Sequence, residues 1–368
     1  MKFICSKESI LKILSIAESI ISTRNSISIL SNVLLEAKNN LVKITASETS
    51  ITFVSEINAE ILEEGSVSVY CNRLYTLVRK LSGNEIEIFS DEENVVTINP
   101  KENKKIEYKL KGIDSDKFPP VKITDNVKYF SIKQEIFTEM TKKTIFAISP
   151  SDNRKFINGV FFEKTEESIK MVSTDGKRLA FIKKELSIRE IDNGSVIIPP
   201  KILHETIKLC SNNGDIQMGL TQKNVFIKID NFFFISNLLD GNFPPYQKVI
   251  PTEFVGNFKI DRKTFLESLD RISLMGDKDS NKVILSIFDN ELKIYTENIT
   301  FGSGKEILSV DYIGNKFEIA LNIMYLIDVL NVLSEDDVLI YFKDSQSTIS
   351  VRQDKDNDYI YIMMPMTI

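Results

Sequence analysis

The 368-residue chain has no tryptophan, a single histidine and three cysteines. Each scarcity excludes a class of chemistry. A serine-type triad, a histidine relay or a His-rich zinc site would have to be built around His204 alone. Cys5, Cys71 and Cys210 are scattered and odd in number, so they form neither a disulfide framework nor a metal-ligand spacing. Arginine is scarce as well, with 9 against 37 lysines, which makes each arginine position worth locating. No run approaches the ~18 apolar residues a membrane span requires. The start MKFICSKESILKIL lacks a signal peptide's apolar core and small-residue cleavage site. The expectation is a soluble cytoplasmic protein. A basic excess is also missing: Lys plus Arg total 46 against 52 Asp plus Glu, a net charge of −6. That balance argues against coating nucleic acid by bulk charge, though it permits a locally basic surface.

What the chain does have is internal repetition. The apolar share of 42% supplies cores for two or three domains of roughly 100–200 residues each. Phe3, Phe130 and Phe258 recur 127 and 128 residues apart, each in a short strand that runs into a polar helix start. Ile10, Ile13, Leu14 and Ala17 then fall on one helical face, as do Phe265, Leu266, Leu269 and Ile272. Downstream, Val42–Glu48, Ile169–Asp175 and Leu292–Asn298 alternate as strands. Segments opening at Ser66, Ser195 and Lys316 each read as a strand entering a second amphipathic helix. Phe118-Pro-Pro120 and Phe243-Pro-Pro245 punctuate the first two copies 125 residues apart, where proline stops the sheet. The fold class is therefore α+β in three tandem copies, with domains expected at 1–125, 126–252 and 253–368. Period alone does not say whether tandem copies stack, curve or close with a partner chain.

The apparent chemical motifs do not survive inspection. Gly302-Ser-Gly-Lys305 lacks the first glycine of a phosphate loop and has Glu306 where a Ser or Thr would bind metal, so it reads as a strand-connecting loop. Asp354–Asp358 lacks the central glycine and terminal glutamate of a calcium loop and reads as a hairpin tip. His204 has no acidic or cysteine partner at useful spacing and reads as solvated. The expectation is no catalytic residue, no metal site and no cofactor. Two segments exceed scaffold needs. The turn in Val172-Ser-Thr-Asp-Gly-Lys-Arg-Leu-Ala180 presents Lys177 and Arg178 beside Leu179. The C-terminal Tyr359-Ile-Tyr-Ile-Met-Met-Pro-Met-Thr-Ile368 is an apolar strand whose Met364 and Met366 suit an adaptable pocket. Pro365 would end its pairing where side chains can turn outward.

At these residues the sequence resembles the bacterial DNA polymerase III β subunit family, the replicative sliding clamps. The resemblance spans the whole chain. It rests on the MKF start, Arg24 before SISILSNVLLE, the STDGKRLA turn, the LLDGNFPPY junction and the MPM ending. It implies three similar domains per chain and two chains closing head to tail into a ring, with helices lining the hole. The implied role is non-catalytic: encircling duplex DNA without sequence preference, and tethering the replicative polymerase, the clamp loader, repair polymerases and mismatch-repair or ligase-type proteins through short peptides. Such a ring needs no large basic excess, because strong phosphate contacts would slow sliding.

The resemblance also implies positions. Arg24, Arg73, Arg154 and Lys201 would touch DNA, and Lys142, Lys143 and Lys208 would add weak attraction from the helices. A partner-peptide pocket would be formed by Ile157, Thr174, Gly176, Lys177, Arg178, Leu179, Pro244, Lys248, Val249, Ile362, Met364, Pro365 and Met366. Thr174 and Arg178 would fix the direction of a Leu- and Phe-containing peptide. Tyr108 and Leu274 would lie at the homodimer seam. The chain departs from the family's pattern at Lys177, Lys248, Pro200, Thr367 and Ile368. The competing reading is a triplicated protein-binding scaffold that never surrounds DNA.

Overall fold

The computed structural model describes residues 1–21, 29–121, 127–187, 192–211, 213–277, 279–298, 302–354 and 358–367. The described residues form one unit three times over. The first copy is β1 (Lys2–Ser6), α1 (Lys7–Ile20), β2 (Asn32–Lys38), β3 (Leu41–Glu48), β4 (Ile51–Glu63), β5 (Gly65–Tyr70), α2 (Cys71–Lys80), β6 (Glu85–Ser90), β7 (Val95–Pro100) and β8 (Tyr108–Ile113). The second is β9 (Tyr129–Lys133), α3 (Gln134–Ile145), β10 (Val160–Lys164), β11 (Ser168–Thr174), β12 (Arg178–Glu185), β13 (Gly194–Ile198), α4 (Pro200–Leu209), β14 (Asp215–Leu220), β15 (Asn224–Ile229) and β16 (Phe232–Asn237). The third is β17 (Gly256–Asp261), α5 (Arg262–Ser273), β18 (Lys282–Phe288), β19 (Glu291–Asn298), β20 (Gly302–Ser309), β21 (Phe317–Asn322), α6 (Ile323–Val332), β22 (Asp337–Phe342), β23 (Ile349–Arg352) and β24 (Tyr359–Met363). Among the described residues no helix is long and apolar enough to cross a membrane.

Local chemistry explains why the elements recur. Ser6, Asp261 and Asn322 each precede a helix and accept a hydrogen bond from its first turn, satisfying donors that have no intrahelical partner. Ile10, Ile13, Leu14 and Ala17 on α1, and Phe265, Leu269 and Ile272 on α5, are buried as the spacing predicts. Asn39-Asn40 and Asp289-Asn290 both adopt positive φ, which gives the two-residue turns that match strand twist in the β2–β3 and β18–β19 hairpins.

Each copy contributes two antiparallel four-strand sets. One runs β4-β3-β2-β5, repeated as β12-β11-β10-β13 and β20-β19-β18-β21; the other runs β1-β6-β7-β8, repeated as β9-β14-β15-β16 and β17-β22-β23-β24. Neighbouring copies then fuse by the same rule. β4 of the first pairs with β16 of the second, and β12 of the second pairs with β24 of the third. The chain accordingly divides into two compact units, Met1–Glu135 with Lys201–Leu238, and Ile136–Pro200 with Leu239–Ile368. The middle copy thus lends one strand set to each unit, so repeat and compact unit are different partitions of the same chain.

One expectation is corrected here. Gly302–Lys305 is strand rather than loop: β20 pairs with β19 from Asn298↔Gly302 to Glu291↔Ser309. Exposed Ser303, Lys305 and Ile307 alternate with half-buried Gly304, Glu306 and Leu308, an alternation that two glycines obscure in the sequence. A Cβ on Gly304 would come within 3.3 Å of Ile272 and Met275, so glycine lets α5 pack close.

Burial also sets the cysteine chemistry. Desolvation first, then Glu85, pushes the Cys5 thiol up to about 12; Cys71 is raised further by burial and Glu18. Cys210 is only half-buried, and its sulfur bonds the Thr206 carbonyl. A thiol reagent at mildly alkaline pH should therefore label Cys210 on the native protein and reach Cys5 and Cys71 only after denaturation. Equal labelling rates at all three would show that the first copy's core is open.

Candidate functional site

The candidate groove lies where β12 meets β24. The register is Leu179↔Ile362 and Phe181↔Ile360, and on the other side Thr174↔Leu179 and Val172↔Phe181. Directly opposed residues share a face, so Thr174, Val172, Leu179, Phe181, Ile360 and Ile362 line one side of the sheet. Val172, Leu179, Tyr246 and Ile362 form a buried cluster there, with Phe161, Phe181, Phe243, Ile250 and Ile360 packed against it. The aromatic rings are layered, with Phe161 on Phe243 at 4.8 Å and Phe181 near Tyr246 at 5.8 Å between centroids. Burial, then Glu163, pushes the Tyr246 phenol up to about 12.

Of the residues expected at this pocket, the ladder brings Thr174, Leu179 and Ile362 into direct register. Met364 continues the row Ile360–Ile362 by strand alternation and is 53% exposed. Pro244 is half-buried, while Lys248 and Val249 are exposed at the turn following Tyr246. Ile157 is buried beneath the surface, its backbone bonded to Ser149 and Arg154. Sequence reasoning missed Phe161, Phe181 and Tyr246. Their signal was present in the alternation of Val160–Lys164 and of Arg178–Glu185, and in the tyrosine closing LLDGNFPPY.

Beyond Met363 the backbone is pinned rather than loose. Met364 N–H donates to the Lys177 carbonyl at 2.8 Å, Met366 N–H to the Ala320 carbonyl at 2.8 Å, and Lys282 Nζ to the Thr367 carbonyl at 3.2 Å. The segment therefore ties β12 to β21 and holds Met364 and half-buried Met366 at fixed positions.

The Thr174–Lys177 turn is knotted by its own side chains. Asp175 Oδ1 accepts from the backbone of Lys177 at 2.8 Å and Arg178 at 3.0 Å. Thr174 Oγ1 accepts from Gly176 N–H at 3.0 Å and donates to the Arg178 carbonyl at 2.6 Å. Gly176 has φ +90°, and a Cβ there would lie 3.3 Å from Arg154 Nη2. Lys177 is exposed at the apex.

Arg178 points the other way. Alternation puts its side chain on the face opposite Leu179, where only 9% is exposed. Nε donates to Asp175 at 3.1 Å, Nη1 to Asp328 on α6 at 2.6 Å, and Nη2 to the Phe146 carbonyl just past α3 at 2.8 Å. The guanidinium also lies 4.2 Å from the Tyr325 ring centroid. Burial lowers its pKa, but Tyr361 and Asp328 more than offset that, so the net shift is upward. This arginine ties the turn to two helices and does not line the groove.

The residues expected at DNA are placed individually. Arg24 lies outside the described residues. Arg73 is exposed on α2. Arg154 grips Asp152 with two bonds of 2.9 Å, holds its carboxyl down to about 2, and sits over Gly176 beside the groove's turn. Lys201 bonds the Ile20 carbonyl and pairs with Glu48, so its charge is already partly neutralised. Lys208 is exposed but paired with Glu205 at 2.7 Å, and Lys142 is exposed. Lys143 corrects the sequence reading: it is 4% exposed, pairs with Glu139 at 2.8 Å and lies over the Tyr359 ring, so it belongs to the core. His204 is exposed on α4, its imidazole held below the ordinary value by partial burial and Lys208.

The seam candidates are both apolar and open. Tyr108 begins β8 at 47% exposure, and Leu274 caps α5 at 79%. β20 is the outer strand of its sheet with Ile307 half exposed, and residues 108–110 of β8 pair on one side only.

Comparisons with known proteins agree along the full length. Models of the N-terminal, central and C-terminal domains of the DNA polymerase III beta subunit match residues 1–122, 131–245 and 247–367. The beta sliding clamp of Treponema pallidum is 33% identical over 370 residues, covering 100% of this chain and 99% of that one. The crystal structure of the DNA polymerase III subunit beta from Pseudomonas aeruginosa superposes with a TM-score of 0.94 at 27% identity, covering both chains completely. The DNA polymerase sliding clamp from Bacillus subtilis gives 0.94 at 26% identity, covering 100% of this chain and 99% of that one.

Proposed function

Because the chain belongs to the DNA polymerase III beta subunit family, we propose that it works as a non-catalytic ring of two copies that holds the replicative polymerase on duplex DNA. The protein is a sliding clamp. The observation that carries the ring geometry is internal. The strand set that ends in β4 joins the last strand of the next copy, β16, and the set that ends in β12 joins β24. By the same rule β20 and β8 are the pair with no junction to a neighbouring copy, β8 being joined only at Gly112 and Ile113 to β5 of its own copy. A second copy of the chain supplies the missing partner at each, so the contact is heterologous and closes after two copies. Tyr108, Leu274 and Ile307 give that seam its apolar surface.

Within the ring, Arg73 and Arg24 are assigned to DNA at the rim, with Lys142 adding diffuse attraction. Lys201 contributes less, because reaching a phosphate means leaving Glu48. Arg154 is better assigned to the peptide groove, where it covers Gly176. The groove formed by Leu179, Ile362, Tyr246, Val249 and the methionines takes short extended peptides of the polymerase, the loader and repair proteins. Thr174 and Arg178 act through the turn they fix. Lys177 and Lys248 supply cations at its rim. The cytoplasm is the compartment this role requires.

The test is topological. Clamp loaded onto nicked circular DNA should stay bound through dilution and be lost when the circle is linearised, since a ring leaves only over an end. Loss at equal rates from both forms would favour the non-encircling scaffold. Leu274→Asp should weaken dimerisation by about a hundredfold in sedimentation, because a carboxylate would be desolvated at an apolar seam. A dimer as tight as the parent's would remove Leu274 from the interface.

A further inference from the structure

The chain has nine methionines. Met140, Met171, Met218 and Met363 have no exposed surface, and Met1, Met275 and Met366 are half-buried. Met364 is the most exposed at 53%, followed by Met324 at 41%. The most accessible thioether of the protein therefore lies on the face where the partner peptide is proposed to bind.

Strand order and backbone hydrogen bonds set that placement. Tyr359, Tyr361 and Met363 are fully buried on one face of β24, while Ile360 and Ile362 belong to the groove. Met364 lies one residue past the strand, where continued alternation would carry it to the groove side, and its own N–H is donated to the Lys177 carbonyl. The backbone is held on both sides of the side chain, by that bond and by the Met366–Ala320 bond. The thioether cannot withdraw by local fraying, and the groove face beside it is apolar.

We infer that Met364 is a site of reversible sulfoxidation by hydroperoxides, and that its oxidation state gates peptide binding. The inference rests on the peptide groove proposed above. The chemistry is a two-electron oxygen transfer. A lone pair on Sδ forms the S–O bond, the peroxide O–O bond breaks, and, when the oxidant is hydrogen peroxide, the departing hydroxide takes the proton shed by the transferred oxygen and leaves as water. Sulfur is oxidised and the peroxide is reduced. The product replaces a soft apolar group with a strong hydrogen-bond acceptor. A peptide closing over it would press that acceptor against Leu179 and Ile362, whose side chains offer it no donor. Methionine sulfoxide reductases, drawing two electrons and two protons from thiols that become a disulfide, restore the thioether and release the oxygen as water, so the gate reopens.

The experiment treats the intact dimer with hydrogen peroxide, quenches with catalase, maps oxidation by peptide mass spectrometry, and measures binding of a labelled short Leu- and Phe-containing peptide by anisotropy. The first added oxygen should fall on Met364, affinity should drop at least about tenfold, and reductase treatment should restore it. Saturating peptide should slow oxidation at Met364 while leaving Met324 unaffected. Met364→Leu, whatever its starting affinity, should keep that affinity through the treatment. Oxidised Met364 with unchanged binding, first oxidation elsewhere, or equal peroxide sensitivity of Met364→Leu would each overturn the proposal. Failure of the untreated protein to bind the peptide at all is a different result: it would remove the groove itself, and this inference with it.

Discussion

Deleting residues 364–368 should abolish binding of polymerase-derived peptides while leaving the dimer intact. The truncation removes the outward methionine that extends the Ile360–Ile362 row, together with half-buried Met366. Loss of buried anchor contacts of this kind typically costs 2 kcal/mol or more, so affinity should fall on the order of thirtyfold to a hundredfold. Three hydrogen bonds go with it: Met364 to Lys177, Met366 to Ala320, and Lys282 to Thr367. Stability should drop by about 1–3 kcal/mol. The seam is insulated from this change by strand order. Met366 bonds β21, whereas β20 is the opposite edge of the same four strands. Peptide anisotropy and sedimentation on one sample check both halves. Undiminished peptide affinity would sink the groove assignment, and a monomeric truncation would show that the tail reaches the seam.

Arg178→Ala should be the most damaging single substitution near the groove, although its side chain faces away from it. It removes three hydrogen bonds and two ring contacts, and it strands Asp175 and Asp328 without their cation. Breaking a fully buried pair costs 3–5 kcal/mol; with Asp328 partly in solvent, about 2–3 kcal/mol is expected. Peptide binding should weaken because the Thr174–Lys177 turn loses its anchor to α6. Asp328→Asn separates this indirect route from direct contact. That residue lies on the helix side, so it should reduce peptide affinity in the same direction, and the double variant should be less than additive. If Arg178→Ala melts like the parent and binds peptide normally, the turn holds itself and Arg178 is dispensable.

Much of the fold could be read from the one-dimensional pattern. Phe3, Phe130 and Phe258 mark homologous first strands, and each occupies the buried position its spacing predicts. A strand's period of two and a helix's of 3.6 are written directly into side-chain order, so a tripled pattern implies a tripled unit. The motif STDGKRLA marked the turn at Thr174–Lys177 and the strand that follows it. It did not reveal that Arg178 and Leu179, adjacent in sequence, project to opposite faces with different duties. The lysines of α3 were harder still. Lys142 and Lys143 differ only in which neighbour they meet, and Glu139 with Tyr359 draws the second into the core. Glycine obscured β20, because strand alternation is hard to see when two of its first three positions have no side chain.

By itself, then, the sequence determined the repeat, most of the secondary elements within it, and the family. Those depend on residue identity and local spacing. Tertiary structure alone decided which strand edges meet: β4 with β16, β12 with β24, β8 with β5 through Gly112 and Ile113 only, and no second neighbour for β20 among the described residues. Pairing across more than a hundred residues leaves no local signature, because a strand's own pattern records which face is buried and not which strand lies beside it. The candidate groove and the proposed seam both lie at such edges, which is why their residues stood out in the sequence before their location did.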